Sequence, residues 1–172
     1  MRALPLLLIA GVVLASPALA AEQHPLAVAK LVHPDGSSAG TARIVARANG
    51  AALEVEIAGV PPGKHGLHLH AVGKCEGPDF ASAGPHLNPD NHQHGADNPA
   101  GSHLGDLPNV TAGDDGRIKA TIGTAMAPLA LARQLFDADG TAIVLHASAD
   151  DYLTDPSGNS GARIACGVLE RG

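Results

Sequence analysis

Hydrophobic and polar residues alternate along much of the chain after residue 25, with the period of a β-strand that has one buried face. Turn-forming residues such as Pro34-Asp35-Gly36 and Asn49-Gly50 separate these stretches. The pattern predicts strands at Leu26–His33, Thr41–Arg47, Ala51–Ala58, His65–Ala71, Gly116–Ile122, Thr141–Ala147 and Ala162–Val168, with a weaker one near Asn109–Ala112. We therefore expect an all-β fold, an eight-stranded antiparallel Greek-key sandwich or flattened barrel.

Two long connections interrupt this pattern of short loops. Val72–Pro108 is rich in Gly, Pro, Asn and His, and Ser148–Gly161 is the second. Connections of this length without regular structure are usually functional or disordered. Only Leu129–Phe136 has a helical pattern, and it is short. We expect the functional residues to lie on the two long loops and on the strands beside them.

The first twenty residues have the pattern of a secretory signal peptide. Arg2 precedes an apolar run from Leu4 to Leu14, and Ala18-Leu19-Ala20 is a small-residue cleavage pattern. A membrane anchor is the alternative, but the apolar run is short for a full span and Pro17 interrupts its end. We expect residues 1–20 to be removed, leaving an exported domain of residues 21–172 that is not held in the membrane.

Charge and aromatic content exclude several kinds of partner. The chain carries 11 Lys and Arg against 17 Asp and Glu, a formal charge of −6, and cleavage would remove Arg2 and leave −7. Such a surface argues against nucleic acids and anionic lipids. With two Phe, one Tyr and no Trp, the chain also lacks a platform on which bases could stack.

The chain contains two cysteines, Cys75 and Cys166. In an exported protein, the simplest interpretation is one disulfide, although one of them could instead be a metal ligand. Closing a loop of about 90 residues would stabilise the fold by about 4–5 kcal/mol in the chain-entropy model. Because the compartment is oxidising and the histidines between residues 68 and 146 are numerous enough to supply metal ligands on their own, we predict the disulfide.

Three histidines on predicted strands form one candidate ligand set. His68 and His70 lie two residues apart, so both rings leave the same face of the sheet. His146 lies near the end of another strand and could reach the same ion, although a half-buried structural histidine is the alternative. With a fourth imidazole from elsewhere in the chain, these three would form a set that suits copper.

A second candidate set lies on the first long loop. His86, His94, His103 and Asp106 are separated by small residues and prolines. Three imidazoles and one carboxylate complete a tetrahedral zinc shell with no open position, which indicates a structural role. The alternative is a polar loop that is merely rich in histidine, and His92 competes with His94 for a place in the set.

Four stretches of the chain together resemble the motifs of one family. They are His65-Gly66-Leu67-His68-Leu69-His70, Ser82-Ala83-Gly84-Pro85-His86-Leu87-Asn88-Pro89, His103-Leu104-Gly105-Asp106-Leu107 and Gly161-Ala162-Arg163-Ile164-Ala165-Cys166-Gly167-Val168. Their sequence and order resemble the copper–zinc superoxide dismutases. The resemblance implies one copper ion on His68, His70, His86 and His146, and one zinc ion on His86, His94, His103 and Asp106. His86 would bridge the two ions as an imidazolate.

The resemblance also implies roles for residues that bind no metal. Arg163 would attract and dock the superoxide anion. Asp150, or the adjacent Asp151, would link a copper histidine to a zinc histidine. His65 would be structural. The remaining histidines (His24, His33 and His92) are expected to face solvent, and Lys64 and Lys74 are the cations near the ligands that could guide substrate.

Two features are similar to the bacterial periplasmic branch of that family. The loop Ser148–Gly161 contains no lysine, and Cys75 stands further ahead of His86 than in the animal members. We therefore expect a periplasmic enzyme, either a monomer or a homodimer whose interface differs from the eukaryotic one. The alternative function is that of a periplasmic copper-binding or delivery protein built on the same sandwich.

Overall fold

The computed structural model describes residues 24–172, which fold mainly into antiparallel β-strands. The predicted signal peptide, residues 1–20, lies outside the described residues. The elements in chain order are β1 (Ala27–Val32), β2 (Ser38–Arg47), β3 (Gly50–Ala58), β4 (Gly63–His65), β5 (Leu67–His70), β6 (Val110–Ala112), β7 (Arg117–Thr124), α1 (Pro128–Leu135), β8 (Ala142–His146), β9 (Arg163–Val168) and β10 (Glu170–Arg171). A single turn of 3-10 helix covers Ala81–Ala83.

The strands form one large curled sheet and one small sheet. The large sheet has the order β5-β8-β9-β1-β2-β3-β7, with β10 paired to β1, and the small sheet pairs β4 with β6. β1, β2 and β3 are consecutive neighbours, and β9 returns from the far end of the chain to lie on the other side of β1. The expectation of an antiparallel all-β fold is confirmed.

The core lies inside the curl of the large sheet. Alternate residues of β1 are buried, as the period of two requires, and Leu31 is among the most buried of them. Ile143 and Leu145 of β8 are fully buried in the same core. The core therefore packs directly behind the strand that ends in His146.

Helix α1 closes one end of this core with Leu131 and Leu135, both buried. It begins at Pro128, whose missing N–H costs nothing in the first turn of a helix. It lies one residue earlier than the predicted Leu129–Phe136. Within residues 24–172, no helix is long and apolar enough to cross a membrane.

The predicted strand His65–Ala71 is two strands in the structure. Gly66 separates β4 from β5 because its N–H donates to the Ser148 carbonyl (2.8 Å) and its carbonyl accepts from the N–H of His146 (2.9 Å). The break lets β4 pair with β6 while β5 pairs with β8. The weakly predicted strand near Asn109–Ala112 is present as β6, and the short β10 was not predicted.

The first long loop lies along the outer edge of β5. The N–H of Leu69 donates to the Gly105 carbonyl (2.9 Å), and the N–H of Leu87 donates to the Leu69 carbonyl (2.8 Å). Isolated bridges also pair His68 with Asp106 and His70 with His86. The loop residues are thereby placed beside the histidines of the strand.

Candidate metal centre

Strand β5, strand β8 and the first long loop bring four histidines together. His68 and His70 lie on β5, His146 ends β8, and His86 lies on the loop segment bridged to His70. One nitrogen of each ring lies within 4.8 Å of the others, and all four residues are buried. We refer to these four residues as the four-histidine cluster.

The hydrogen bonding of these rings fits a metal ion. Four buried nitrogens have no hydrogen-bond partner among the described residues, and they are His68 Nδ1, His70 Nε2, His86 Nε2 and His146 Nε2. The second nitrogen of His70 lies 2.8 Å from the Gly84 carbonyl, and that of His146 lies 3.2 Å from the Gly161 carbonyl. Unpartnered buried polar atoms are costly, so four that converge on one point indicate a cation.

Burial also keeps three of these rings in the form that binds metals. It lowers the pKa of His70 to about 2 and that of His146 to about 3. Burial lowers the pKa of His86 to about 4, although the hydrogen bond with Asp106 acts in the opposite direction. The rings of His70, His86 and His146 are therefore neutral near pH 7, and their unprotonated nitrogens are available as ligands.

A second cluster gathers around one oxygen of Asp106. Its Oδ1 lies 2.9 Å from His86 Nδ1, 3.0 Å from His94 Nδ1 and 3.1 Å from His103 Nδ1. Metal–ligand bonds of about 2.0–2.1 Å in a tetrahedron place neighbouring ligands roughly 3.3 Å apart. The spacing and the chemistry of these four ligand atoms fit zinc, and we refer to the set as the Asp106 cluster.

Asp106 is held in position by its other oxygen. Oδ2 accepts hydrogen bonds from the backbone N–H groups of Gly95 and His103, each at 2.9 Å. Burial acts to raise the pKa of Asp106, but the hydrogen bonds from His86 and from these two amides outweigh it and hold the pKa below its usual value. Asp106 is therefore a carboxylate with Oδ1 left for the cluster.

One ring, that of His86, belongs to both clusters. Its Nδ1 is 2.9 Å from Asp106, while its unpartnered Nε2 lies in the four-histidine cluster. His92, the competitor of His94, is exposed and lies outside both clusters, with its Nδ1 near the Ser102 carbonyl. The structure therefore brings together every ligand residue expected from the sequence.

Asp150, and not Asp151, lies between the two clusters. Its Oδ2 is 2.7 Å from His68 Nε2 and its Oδ1 is 3.0 Å from His94 Nε2. Burial acts to raise the pKa of Asp150, but the hydrogen bonds from His68 and His94 hold it below its usual value. Asp151 instead accepts hydrogen bonds from Thr154 at the surface.

Arg163 lies in a cavity of about 920 Å³ above the four-histidine cluster. Its Nη1 donates to the Phe80 carbonyl (2.6 Å) and its Nη2 to the Gly84 carbonyl (2.8 Å). The Gly84 carbonyl is also the partner of His70 Nδ1, so one loop carbonyl positions both the arginine and a ring of the cluster. The guanidinium is thereby fixed at the cavity wall.

The predicted disulfide between Cys75 and Cys166 is confirmed. It joins residues 91 apart in sequence, and it ties the start of the first long loop to β9, which begins at Arg163. Phe80, whose carbonyl holds Arg163, is buried against Cys166. The disulfide therefore supports the backbone that positions the arginine.

The remaining histidines lie outside both clusters. The ring of His65 is buried between the carbonyls of His146 and Pro61, each at 2.8 Å. His24 is exposed, as predicted. The prediction for His33 was wrong, because its half-buried ring lies 3.0 Å from the Ala58 carbonyl and 3.3 Å from the Ile164 carbonyl.

Two residues that support the centre were not identified from the sequence. Asn109 donates from Nδ2 to the Asp150 carbonyl and accepts from the Asp150 N–H, both at 2.8 Å. Gly158 has φ +65, and a Cβ there would overlap Asp150 Oδ1 and lie 2.6 Å from His94 Nε2. The Ser157-Gly158-Asn159 turn was a local signal for the glycine, whereas nothing near Asn109 in sequence indicates its partner.

A curled antiparallel β-sheet that carries two buried clusters of metal-binding side chains, joined through one shared imidazole, defines a β-sandwich metalloprotein. Residues 38–169 match the family model described as copper/zinc superoxide dismutase. The chain therefore belongs to the copper/zinc superoxide dismutase family, whose metals are copper and zinc.

Relatives and a solved structure agree with this membership. The chain is 39% identical over 145 residues to copper–zinc superoxide dismutase 1 of Aquifex aeolicus, covering 83% of this chain and 86% of the relative. It is 42% identical over 140 residues to the copper–zinc superoxide dismutase of Caulobacter vibrioides, covering 79% and 80%. A superoxide dismutase-like protein from Bacillus subtilis matches with a TM-score of 0.74 and 37% identity, covering 83% of this chain and 97% of that one.

Proposed function

We propose that the protein dismutates superoxide to dioxygen and hydrogen peroxide. Copper would be held by the four-histidine cluster and zinc by the Asp106 cluster. The observation that carries the proposal is the ring of His86, which offers one nitrogen to each cluster. When bound, copper supplies one-electron redox chemistry, accepting an electron from one superoxide and donating it to the next.

His86 has two tasks in this proposal. Flanked by two cations, it would lose both ring protons and bridge the ions as an imidazolate. Its Nε2 is the nitrogen in the four-histidine cluster, three of whose residues (His70, His86 and His146) line the cavity. When it is not acting as a ligand, that nitrogen would hold a proton for the peroxide product.

Arg163 would attract and orient the anion. The chain carries a formal charge of −6, so a local positive group is needed to draw superoxide to the cavity. The two loop carbonyls fix the guanidinium at the wall that also includes His70 and His146. A fixed cation loses little conformational freedom when it binds an anion.

The Asp106 cluster would serve the structure of the centre. It comprises three buried rings and one carboxylate, and it leaves no coordination position open in a tetrahedral zinc site. Asp150 contacts His94 of the Asp106 cluster and His68 of the four-histidine cluster, so it would hold the rings of the two clusters in a fixed relative position. The alternative of a copper-delivery protein is not favoured, because all four rings that suit a catalytic copper are present and converge.

We also propose that the protein works in the periplasm. The apolar segment followed by Ala18-Leu19-Ala20 supports export, and the disulfide is of a kind that persists in oxidising compartments. Cell fractionation and N-terminal sequencing of the purified protein should find a periplasmic chain that begins near Ala21. A chain recovered from the cytoplasm with Met1 retained would contradict this proposal.

Metal analysis combined with a turnover assay tests the function. The purified protein should contain copper and zinc in equal amounts and should consume superoxide. His146→Ala should lose the activity and keep zinc, because His146 belongs to the four-histidine cluster alone. His92→Ala is the matched control, since this exposed histidine lies outside both clusters, and full activity in His146→Ala would refute the proposal.

A further inference from the structure

The cavity above the four-histidine cluster is lined by one charged side chain of each sign, apart from its histidines. Among the described residues that line it, Asp79 is the only carboxylate and Arg163 the only lysine or arginine. Lys64 and Lys74 are exposed and do not line it. An anion that enters therefore meets one fixed positive and one fixed negative side chain in front of the cluster.

The same loop positions both charges. The Phe80 carbonyl accepts the Nη1 hydrogen bond of Arg163, and Asp79 is the preceding residue. Asp79 Oδ1 accepts a hydrogen bond from the N–H of Ala81 at 3.0 Å, which fixes the carboxylate at the start of the 3-10 turn. Backbone contacts of this loop therefore place the carboxylate and the guanidinium in the lining of one cavity.

The charges of Asp79 and Arg163 act on each other without a hydrogen bond between them. The guanidinium donates Nη1 and Nη2 to the two loop carbonyls. Burial lowers the pKa of Arg163, and the charge of Asp79 acts in the opposite direction. Asp79 thus weakens the positive potential of the cavity while leaving the guanidinium free to meet an anion.

We propose that Asp79 is a specificity-determining residue that favours monovalent over divalent anions at Arg163. A positive site attracts a divalent anion more strongly than a monovalent one, because the attraction scales with charge. A given reduction of the potential by Asp79 therefore lowers the binding free energy of a divalent anion by twice as much as that of superoxide. The inference rests on the proposed function, in which a small monovalent anion is the substrate.

A purely structural role for Asp79 makes a different prediction. If the side chain only caps the turn, asparagine should replace it without effect, since its amide oxygen can still accept the Ala81 N–H. Asp79→Asn keeps the shape and removes the charge. The variant therefore separates the electrostatic role from the structural one.

The experiment compares sulfate with nitrate, two oxyanions that differ in charge, on the metal-loaded protein at low ionic strength. Inhibition constants come from the turnover assay, and equilibrium dialysis with labelled sulfate measures binding directly. Removing one exposed charge changes a single-charge interaction by a factor of about two to five. In Asp79→Asn we expect nitrate to bind about twofold to fivefold more tightly and sulfate about fourfold to twenty-five-fold more tightly.

Asp90→Asn is the matched control, because Asp90 is exposed and does not line the cavity. Its ratio of sulfate to nitrate affinity should equal that of the parent. An unchanged ratio in Asp79→Asn, or an equal change in Asp90→Asn, would overturn the proposal.

A second variant locates the anion. Arg163→Gln should abolish sulfate binding in dialysis, and sulfate binding that persists in this variant would also overturn the proposal. Dialysis does not depend on turnover. If the protein lacks dismutase activity, the proposed function is refuted, but the anion preference can still be measured. If the protein is an active dismutase and Asp79→Asn leaves its ratio of sulfate to nitrate affinity unchanged, only the role of Asp79 is refuted.

Discussion

His68 and Asp150 are held together by a buried contact of 2.7 Å between Nε2 and Oδ2. The opposite nitrogen of His68, Nδ1, lies in the four-histidine cluster without a hydrogen-bond partner. The other oxygen of Asp150 contacts His94 of the Asp106 cluster. One carboxylate therefore orients a ring in each of the two clusters.

Asp150→Asn should weaken metal binding in one of the two clusters. The amide keeps one acceptor oxygen and directs an NH₂ group toward the other ring, so one of the two imidazoles loses its orientation. Loss of such an outer partner typically lowers metal affinity by about 10–100-fold. Chelator competition followed by metal analysis measures the change.

Asp151→Asn is the control for that experiment, because its carboxylate contacts the surface turn at Thr154 and Asn159 and neither cluster. It should keep the parent's metal affinity. Equal affinities in the parent and in Asp150→Asn would show that the carboxylate does not orient the ligands.

Arg163→Glu should slow the consumption of superoxide by about 10–1,000-fold at low ionic strength while metal content stays the same. The change replaces the cation of the cavity with an anion, and electrostatic guidance contributes factors of this size to association rates. Stopped-flow assays at several salt concentrations measure the effect, which should shrink as salt screens the charges.

Arg117→Glu makes the same change of net charge at an exposed position outside this cavity. Its rate should stay close to that of the parent. If both variants slow the reaction equally, net charge would explain the effect and guidance by Arg163 would not.

Removing the disulfide should lower the free energy of unfolding by about 4–5 kcal/mol, because the bond closes a loop of about 90 residues in the unfolded chain. Denaturant titration of Cys75→Ala and of Cys75→Ala/Cys166→Ala measures the loss. The single and double variants should be destabilised by similar amounts, since either one removes the bond. A loss below about 1 kcal/mol would contradict the loop-closure argument.

Leu135→Ala should destabilise the fold by about 2–5 kcal/mol, because it creates a cavity where α1 closes the core. Leu135 is fully buried, whereas Leu129 of the same helix is 67% exposed. Leu129→Ala should change the free energy of unfolding by less than about 0.5 kcal/mol. Thermal or denaturant unfolding compares the two, and similar values would mean that α1 does not pack as described.

Local patterns predicted strands such as β1 because buried and exposed residues alternate at adjacent positions, whereas β8 is buried throughout and was visible as a short apolar run. The break at Gly66 could not be predicted in this way, since its cause is a pair of hydrogen bonds to Ser148 and His146. His33 is a similar case, because its two carbonyl partners lie 25 and 131 residues away in sequence. Contacts over such distances leave no trace in the local pattern.

The candidate ligands were predictable because residue type and spacing carry their chemistry, and the family resemblance fixed their grouping. The choice between Asp150 and Asp151 could not be predicted, since two adjacent aspartates have the same chemistry. It depends on which side of the backbone faces the clusters, and Asn109 sets this by bonding to both backbone groups of Asp150. The placement of Asp79 in the same cavity as Arg163 likewise depends on the path of the loop.

The position of β5 at the end of the large sheet has a consequence for the behaviour of the chain in solution. Its outer backbone groups bond to the loop at Leu87 and Gly105, and the order of that loop depends on the residues that gather around Asp106. A chain whose loop comes loose would present an unprotected strand edge to its neighbours. Preparations poor in metal should therefore aggregate by edge-to-edge pairing sooner than fully loaded ones.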